Sequence, residues 1–207
     1  MRRIRAILFC GFGLLLAACS EELAKEQAPA KIQDSSAVPP LQDYGSIGGD
    51  FSLVDQYGEL FELQALRGRS AMLFFGYTYC PDICPVTLSK MSRVYELLGK
   101  GEQDLATLFI TVDPERDTEE KLAEYLDYFA IKTIGLRGDR EQIDQVIGQY
   151  GGHYSLDKEE GRADYFVDHS TYTYLIDQQG MVRFLFRQSD DPELMAAVAG
   201  QLFAGTE

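Results

Sequence analysis

The chain is poor in basic residues, histidine and cysteine, and it has no tryptophan. Lys and Arg number 19 against 33 Asp and Glu, a formal charge of −14. That balance excludes attachment to nucleic acid or to an anionic membrane face through charge, and leaves solubility or cationic partners as its use. The longest apolar run, AILFCGFGLLLAA at residues 6–18, falls short of the ~20 residues a membrane-spanning helix needs. There are no internal repeats, and composition gives no sign of long disorder outside the N-terminal region. What remains is 207 residues with an ordinary 45% apolar content, enough for one medium domain plus extensions. Its special chemistry must come from four cysteines and from His153 and His169.

The N-terminus reads as a leader. A basic start, MRRIR, precedes the short apolar run, which ends at Leu16-Ala17-Ala18-Cys19 with polar residues directly after it. Small residues before a cut mark a secretory signal, and a Cys at that place resembles the bacterial lipobox. Residues 1–18 are expected to be a lipoprotein signal peptide, with Cys19 the lipid-carrying N-terminus of the mature chain. The polar, Ala/Ser/Pro-containing stretch to residue 45 then reads as a flexible tether, and residues 46–207 as the folded domain. The domain is expected on the periplasmic side of a bacterial membrane. Ser20 gives no signal that decides between inner and outer membrane. Cleavage removes Arg2, Arg3 and Arg5 and takes the formal charge from −14 to −17. Cys10 leaves with the leader, so Cys80 and Cys84 are the only thiols in the domain and can pair only with each other.

Periodicity gives an alternating α/β order. FSLVDQYGELFEL predicts a hairpin turning near Gln56-Tyr57-Gly58. The continuous apolar runs at 71–78 and 104–113 predict buried strands. Pro85 suits the first turn of a helix, with Cys84 at its cap, Leu88, Met91, Tyr95 and Leu98 on one face, and Gly99 or Gly101 at its end. Thr118 and Asp139 are expected to cap two further helices, with a short strand near Thr133–Leu136 between them. Residues 151–167 read as a polar excursion. STYTYLID and MVRFLFRQ predict a closing hairpin, and Asp191-Pro192 starts a last helix. Strands separated by helices, then a hairpin and a helix, give the plan of a thioredoxin-like α/β fold with an N-terminal β-hairpin and an inserted helix/strand unit.

In that plan Cys80 and Cys84 lie at the carboxyl end of a buried strand, where open α/β sheets bind ligands, and at a helix N-terminus, which favours thiolate. Their spacing is Cys-x-x-x-Cys, one residue wider than the usual redox pair. Two thiolates favour a soft ion, Cu(I) or zinc. His169 precedes a strand at the edge facing the Cys loop, in VDHSTYTYL, where thioredoxins proper hold a proline. His153, among glycines and charges, reads as a solvated loop residue. A redox pair and a structural disulfide in a binding module remain open on this reading.

YTYCPDICPVTL, FITVDPERDT and VDHSTYTYLID, in that order, resemble the signature blocks of the Sco/SenC family over about residues 46–205. The resemblance implies a thioredoxin-like metallochaperone, not an enzyme, that binds one copper, as Cu(I) or Cu(II), through Cys80, Cys84 and His169. It also implies a partner, cytochrome c oxidase subunit II, whose binuclear copper centre such proteins help assemble. In an oxidising compartment Cys80 and Cys84 are expected to form a redox disulfide with each other. The copper donor and the thiol reductant are not implied. The alternative function is a thiol–disulfide oxidoreductase that reduces a partner's cysteines. Asp82, between the cysteines, and Asp113 are candidate outer groups that tune the site. Asp113, Glu115 and Asp117 also read as solvated loop acids at the start of the Thr118 helix. Tyr77, Tyr79, Tyr172 and Tyr174 are candidate walls of the site or simple packing.

Overall fold

The computed structural model describes residues 37–157 and 165–204. The expected signal peptide, Cys19 and most of the tether lie outside the described residues. The chain divides after Ala37, and the unit from Val38 onward is the one described below. Its packing starts before Ser46: Leu41 and Tyr44 pack against the core, Gln42 N–H donates to Arg183 O at 2.9 Å, and Gln201 donates to Pro39 O at 2.8 Å. Two apolar side chains and free backbone groups suffice to lay this segment on the domain, which composition alone had assigned to the tether.

The hairpin forms as expected from β1 (Ser52–Asp55) and β2 (Leu60–Glu62), antiparallel with Leu53 opposite Phe61. Asp55 shapes its turn by accepting from the amides of Tyr57 and Glu59. The two apolar runs are β3 (Ser70–Gly76) and β4 (Leu105–Thr111), buried along their whole length and paired in parallel from Ser70↔Leu105 to Gly76↔Thr111. Strands covered on both faces have no polar side to alternate with, which explains their continuous apolar sequence. Between them runs α1 (Ile83–Leu98), stopped by Gly99 in the left-handed conformation.

The inserted unit is α2 (Glu119–Leu126), β5 (Thr133–Arg137) and α3 (Arg140–Gln149). Thr118 accepts from Lys121 N–H, and Asp139 forms a reciprocal capping box with Gln142, so both expected caps are present. The closing hairpin is β8 (Thr173–Ile176) and β9 (Val182–Phe186), and α4 (Pro192–Gly200) is capped by Asp191. The sheet order is β2-β1-β5-β4-β3-β8-β9. Its β4-β3-β8-β9 half, with β3 and β4 parallel and β8 and β9 antiparallel, is the expected thioredoxin-like core.

The excursion is more ordered than composition suggested. Its described parts form β6 (Tyr154–Asp157) and β7 (Phe166–His169), a separate two-stranded antiparallel sheet with Tyr154 opposite His169. Four-residue strands with alternating half-burial give too short a period to stand out in the sequence. Side chains alternate along β3. Phe75 meets Tyr150 and Tyr174, whereas Phe74 meets Phe109 and His169. The cysteine helix α1 lies on the Phe74 face, where a Cβ on Gly76 would meet Cys84. Among the described residues, no helix is long and apolar enough to cross a membrane.

Candidate metal centre

Cys80 sits in a turn that leaves the end of β3 and is closed by its own N–H donating to Tyr77 O at 3.2 Å. Helix α1 begins at Ile83, with Asp82 in the cap position and making no side-chain cap bond. Cys84 is therefore the second helical residue rather than the cap, and Pro85 the third. A proline fits there because the first amides of a helix have no intrahelical acceptor to lose. This geometry points the Cys84 amide at Cys80, and Cys84 N–H donates to Cys80 Sγ at 3.4 Å.

His169 comes from the other side of the sheet edge. It ends β7 and is separated from β8 by three residues, so it belongs to the excursion as well as preceding the strand. Its ring stands edge-to-face between Phe74 and Tyr77, with centroids 5.9 and 5.8 Å away. His169 Nδ1 lies 3.0 Å from Ser170 O. A carbonyl only accepts, so Nδ1 carries a proton, and Nε2 is the ring nitrogen turned toward the sulfurs. Nε2 is 3.7 Å from Cys84 Sγ.

The three donor atoms of Cys80, Cys84 and His169 lie within 4.8 Å of one another, and all three residues are buried. Donors on one ion with bonds of about 2.0–2.3 Å are at most about 4.6 Å apart, so small side-chain rotations close this set around a metal. Both cysteines are free thiols. The Cys80 thiol is pulled down to about 4, first by the hydrogen bond from the Cys84 thiol and then, against its own burial, by His169 and by the amides of Cys84 and Asp82. Burial, and then the neighbouring Cys80, push the Cys84 thiol up. The pair therefore holds one thiolate and one proton, with the charge on the sulfur nearer solvent. A cation arriving there replaces that proton.

A pocket of about 190 Å³ opens onto the set, lined among others by Tyr77, Cys80, Asp82, Val167, Asp168 and His169. The expected ligand trio is thus brought together. His153 stays apart: it is exposed and bonded to the Ser170 hydroxyl. Asp82 is exposed at the pocket wall.

The acids of VDPERDT require correction. Asp113 and Asp117 are fully buried, not solvated. Asp113 pairs with Arg116 and accepts from the Tyr165 hydroxyl at 2.6 Å, so its carboxylate is committed within this loop and to Tyr165. Asp117 accepts from Thr78 and Thr111. Of the four tyrosines, Tyr77 lines the pocket, and Tyr174 packs in the core against Phe75 and Tyr150. Tyr79 and Tyr172 are exposed, and Tyr79 lies 4.7 Å from the Arg116 guanidinium.

Sequence reasoning also passed over Gly76. A Cβ there would stand 2.9 Å from Cys84 Sγ and 2.7 Å from the Phe109 ring. The signal was available: a glycine ending an otherwise bulky buried strand marks a close approach.

Comparison with known proteins agrees with this geometry. The SCO1/SenC family model matches residues 40–203. A SCO2-like protein of Rickettsia felis is 41% identical over 161 residues, 77% of this chain and 78% of that protein. The copper-bound structure of ScoI from Arabidopsis thaliana superposes with a TM-score of 0.70 at 35% identity, covering 76% of this chain and 98% of that one. Copper-bound ScoI from Bradyrhizobium japonicum gives 0.67 at 36% identity, with 76% and 98% covered.

Proposed function

The chain belongs to the SCO1/SenC family, and from that premise we propose that it is a copper metallochaperone serving assembly of cytochrome c oxidase. Copper is its cargo. One ion is held by Cys80, Cys84 and His169 and passed to the binuclear copper centre of oxidase subunit II. The carrying observation is the convergence of two sulfurs and an imidazole nitrogen within 4.8 Å, on separate chain segments and beside an open pocket. Two thiolates and one imidazole suit Cu(I), and three donors leave room for a partner's thiol to enter before the ion departs. Asp82 adds negative charge at the pocket wall. In this proposal Cys19 carries lipid and holds the domain at the periplasmic side of a bacterial membrane.

The alternative reading is a thiol–disulfide oxidoreductase. Its support is the Cys80 thiolate, a ready nucleophile for a partner's disulfide. Against it, Cys84 must lose its proton to attack the mixed disulfide, and burial holds that proton on. The two are separated by mixing the Cu(I)-loaded chain anaerobically with the soluble domain of a reduced oxidase subunit II. The chaperone delivers copper with Cys80 and Cys84 still reduced. Thiol exchange with an oxidised subunit II, unaffected by His169→Ala and without copper transfer, would replace it by the oxidoreductase.

A further inference from the structure

The two cysteines and His169 do not by themselves account for the position of Cys80. The turn Tyr77–Cys80 follows the last residue of β3, and one backbone bond across its ends closes it. A fully buried carboxylate reaches it from the loop between β4 and α2. Asp117 Oδ2 accepts from Thr78 N–H at 3.0 Å, and Asp117 Oδ1 accepts from the Thr78 hydroxyl at 2.6 Å. The Thr111 hydroxyl, at the end of β4, donates to Oδ2 at 2.6 Å. The loop that carries Asp117 is itself held. Asp117 N–H donates to Asp113 O at 3.0 Å, Arg137 donates to Asp117 O at 3.2 Å, and Val112 N–H donates to Gly76 O at 2.8 Å.

A carboxylate removed from water is costly unless its oxygens are satisfied. Here three donors satisfy it, and two of them belong to a single residue of the cysteine turn. Thr78 is two residues before Cys80. Pinning its amide and hydroxyl to the β4–α2 loop restricts the turn and so the direction in which Cys80 Sγ leaves it. Resting on the copper-chaperone reading, we propose that Asp117 is a positioning residue of the metal centre. It touches no donor atom and acts through Thr78, holding Cys80 at the distance from Cys84 and His169 that a single ion spans. Copper affinity then includes no cost for ordering the turn. Residues that orient a ligand from behind typically carry 10–100-fold in metal affinity.

The test compares Asp117→Ala, Asp117→Asn and Thr78→Val in the full chain carrying Cys10→Ser and Cys19→Ser, which silences the two other thiols. Cu(I) affinity is read by anaerobic chelator competition beside thermal unfolding. Asp117→Ala is expected to bind Cu(I) about 10–100-fold more weakly. Asp117→Asn is expected to stay within about threefold of the parent, because an amide still accepts from Thr78 N–H and Thr111 and donates to the Thr78 hydroxyl. Thr78→Val, which keeps the fold and loses only the hydroxyl donor, is expected to fall between them. Val146→Ala, a core truncation in α3, supplies a destabilised control whose copper affinity is unchanged.

A metal-free readout keeps the result independent of the copper proposal. The reduced chain and oxidised glutathione equilibrate with the Cys80–Cys84 disulfide and two glutathione thiols. The effective concentration of one sulfur at the other is expected to fall about tenfold in Asp117→Ala, in proportion to the lost positioning. Wild-type affinity and wild-type disulfide equilibrium in Asp117→Ala and Thr78→Val would overturn the inference. So would a loss of affinity shared equally by Val146→Ala. Absence of Cys80-dependent copper binding in the parent, with the disulfide effect intact, would instead remove the copper proposal and leave Asp117 as the pin of the thiol pair.

Discussion

Replacing Gly76 by alanine should damage both fold and site, although alanine normally suits a strand better than glycine. Gly76 does not have a positive φ, so an alanine adopts its backbone without strain. On chain entropy alone, the change would stabilise the protein by about 0.4–1 kcal/mol. The surroundings reverse the sign. The new Cβ would lie 2.7 Å from the Phe109 ring and 2.9 Å from Cys84 Sγ. Ordinary contacts are about 3.5–4.0 Å, so relief of roughly 0.8 Å is needed at the ring and roughly 0.6 Å at the sulfur. Phe109 is wedged between Phe74 and Tyr125, and Gly76 itself is fixed by its pairing with Thr111 and by Val112. The Cys84 sulfur gives way most easily, and the contact with the Phe109 ring remains as strain.

Overpacking of this kind costs about 1–3 kcal/mol. In a chain of this size that lowers Tm by about 2–4 °C for each kcal/mol, or roughly 2–12 °C. The displaced sulfur no longer stands 3.7 Å from His169 Nε2, and Cu(I) affinity should fall about tenfold or more. Thermal unfolding of the metal-free protein and chelator competition measure the two effects. A Gly76→Ala chain with an unchanged or raised Tm and full copper affinity would refute the packing argument.

Three further outcomes follow from the charges near the site. The Cys80 thiol is drawn down to about 4 from 9.0, so alkylation of the reduced apoprotein by iodoacetamide should hold its plateau rate to about pH 5 and fall off near pH 4; a half-point near that of an ordinary thiol, about 8.5, would contradict it. By linkage, the unfolded chain binds more protons between those two values, so this thiolate's contribution to stability is full near pH 9 and is lost as pH falls toward 4; the raised Cys84 acts in the opposite sense only above that window. Arg116→Ala should destabilise by about 3–5 kcal/mol, because it leaves the Asp113 carboxylate buried without its charge partner. A loss below about 1 kcal/mol in urea unfolding would show that Tyr165 alone satisfies it.

The elements with one strong period were legible in the sequence. β3 and β4 announced themselves as uninterrupted apolar runs, and Thr118, Asp139 and Asp191 marked helix starts through short-range bonding that their neighbours already encode. Cys80, Cys84 and His169 were legible because few residues of their type exist in the chain. The burial of Asp113 and Asp117 was not. VDPERDT has the composition of a surface loop, and nothing local indicates that Thr78 and Tyr165, 39 and 52 residues away, supply the donors that make burial tolerable. β6 and β7 were hidden for a similar reason: each is four residues long, and their pairing across the excursion is non-local. The start of α1 was shifted because Pro85 looks like the first helical residue, whereas the free amides of the whole first turn admit it at the third.

His169 as the third donor is what separates the proposed copper site from a plain dithiol. Its most direct test is an anaerobic Cu(I) competition titration of the reduced full chain carrying Cys10→Ser and Cys19→Ser, beside the same chain with His169→Ala. The account predicts one tightly held copper per chain and a loss of at least about tenfold in affinity without the imidazole, with the fold intact. Equal affinity in both chains, or no copper held against the chelator in either, would contradict it.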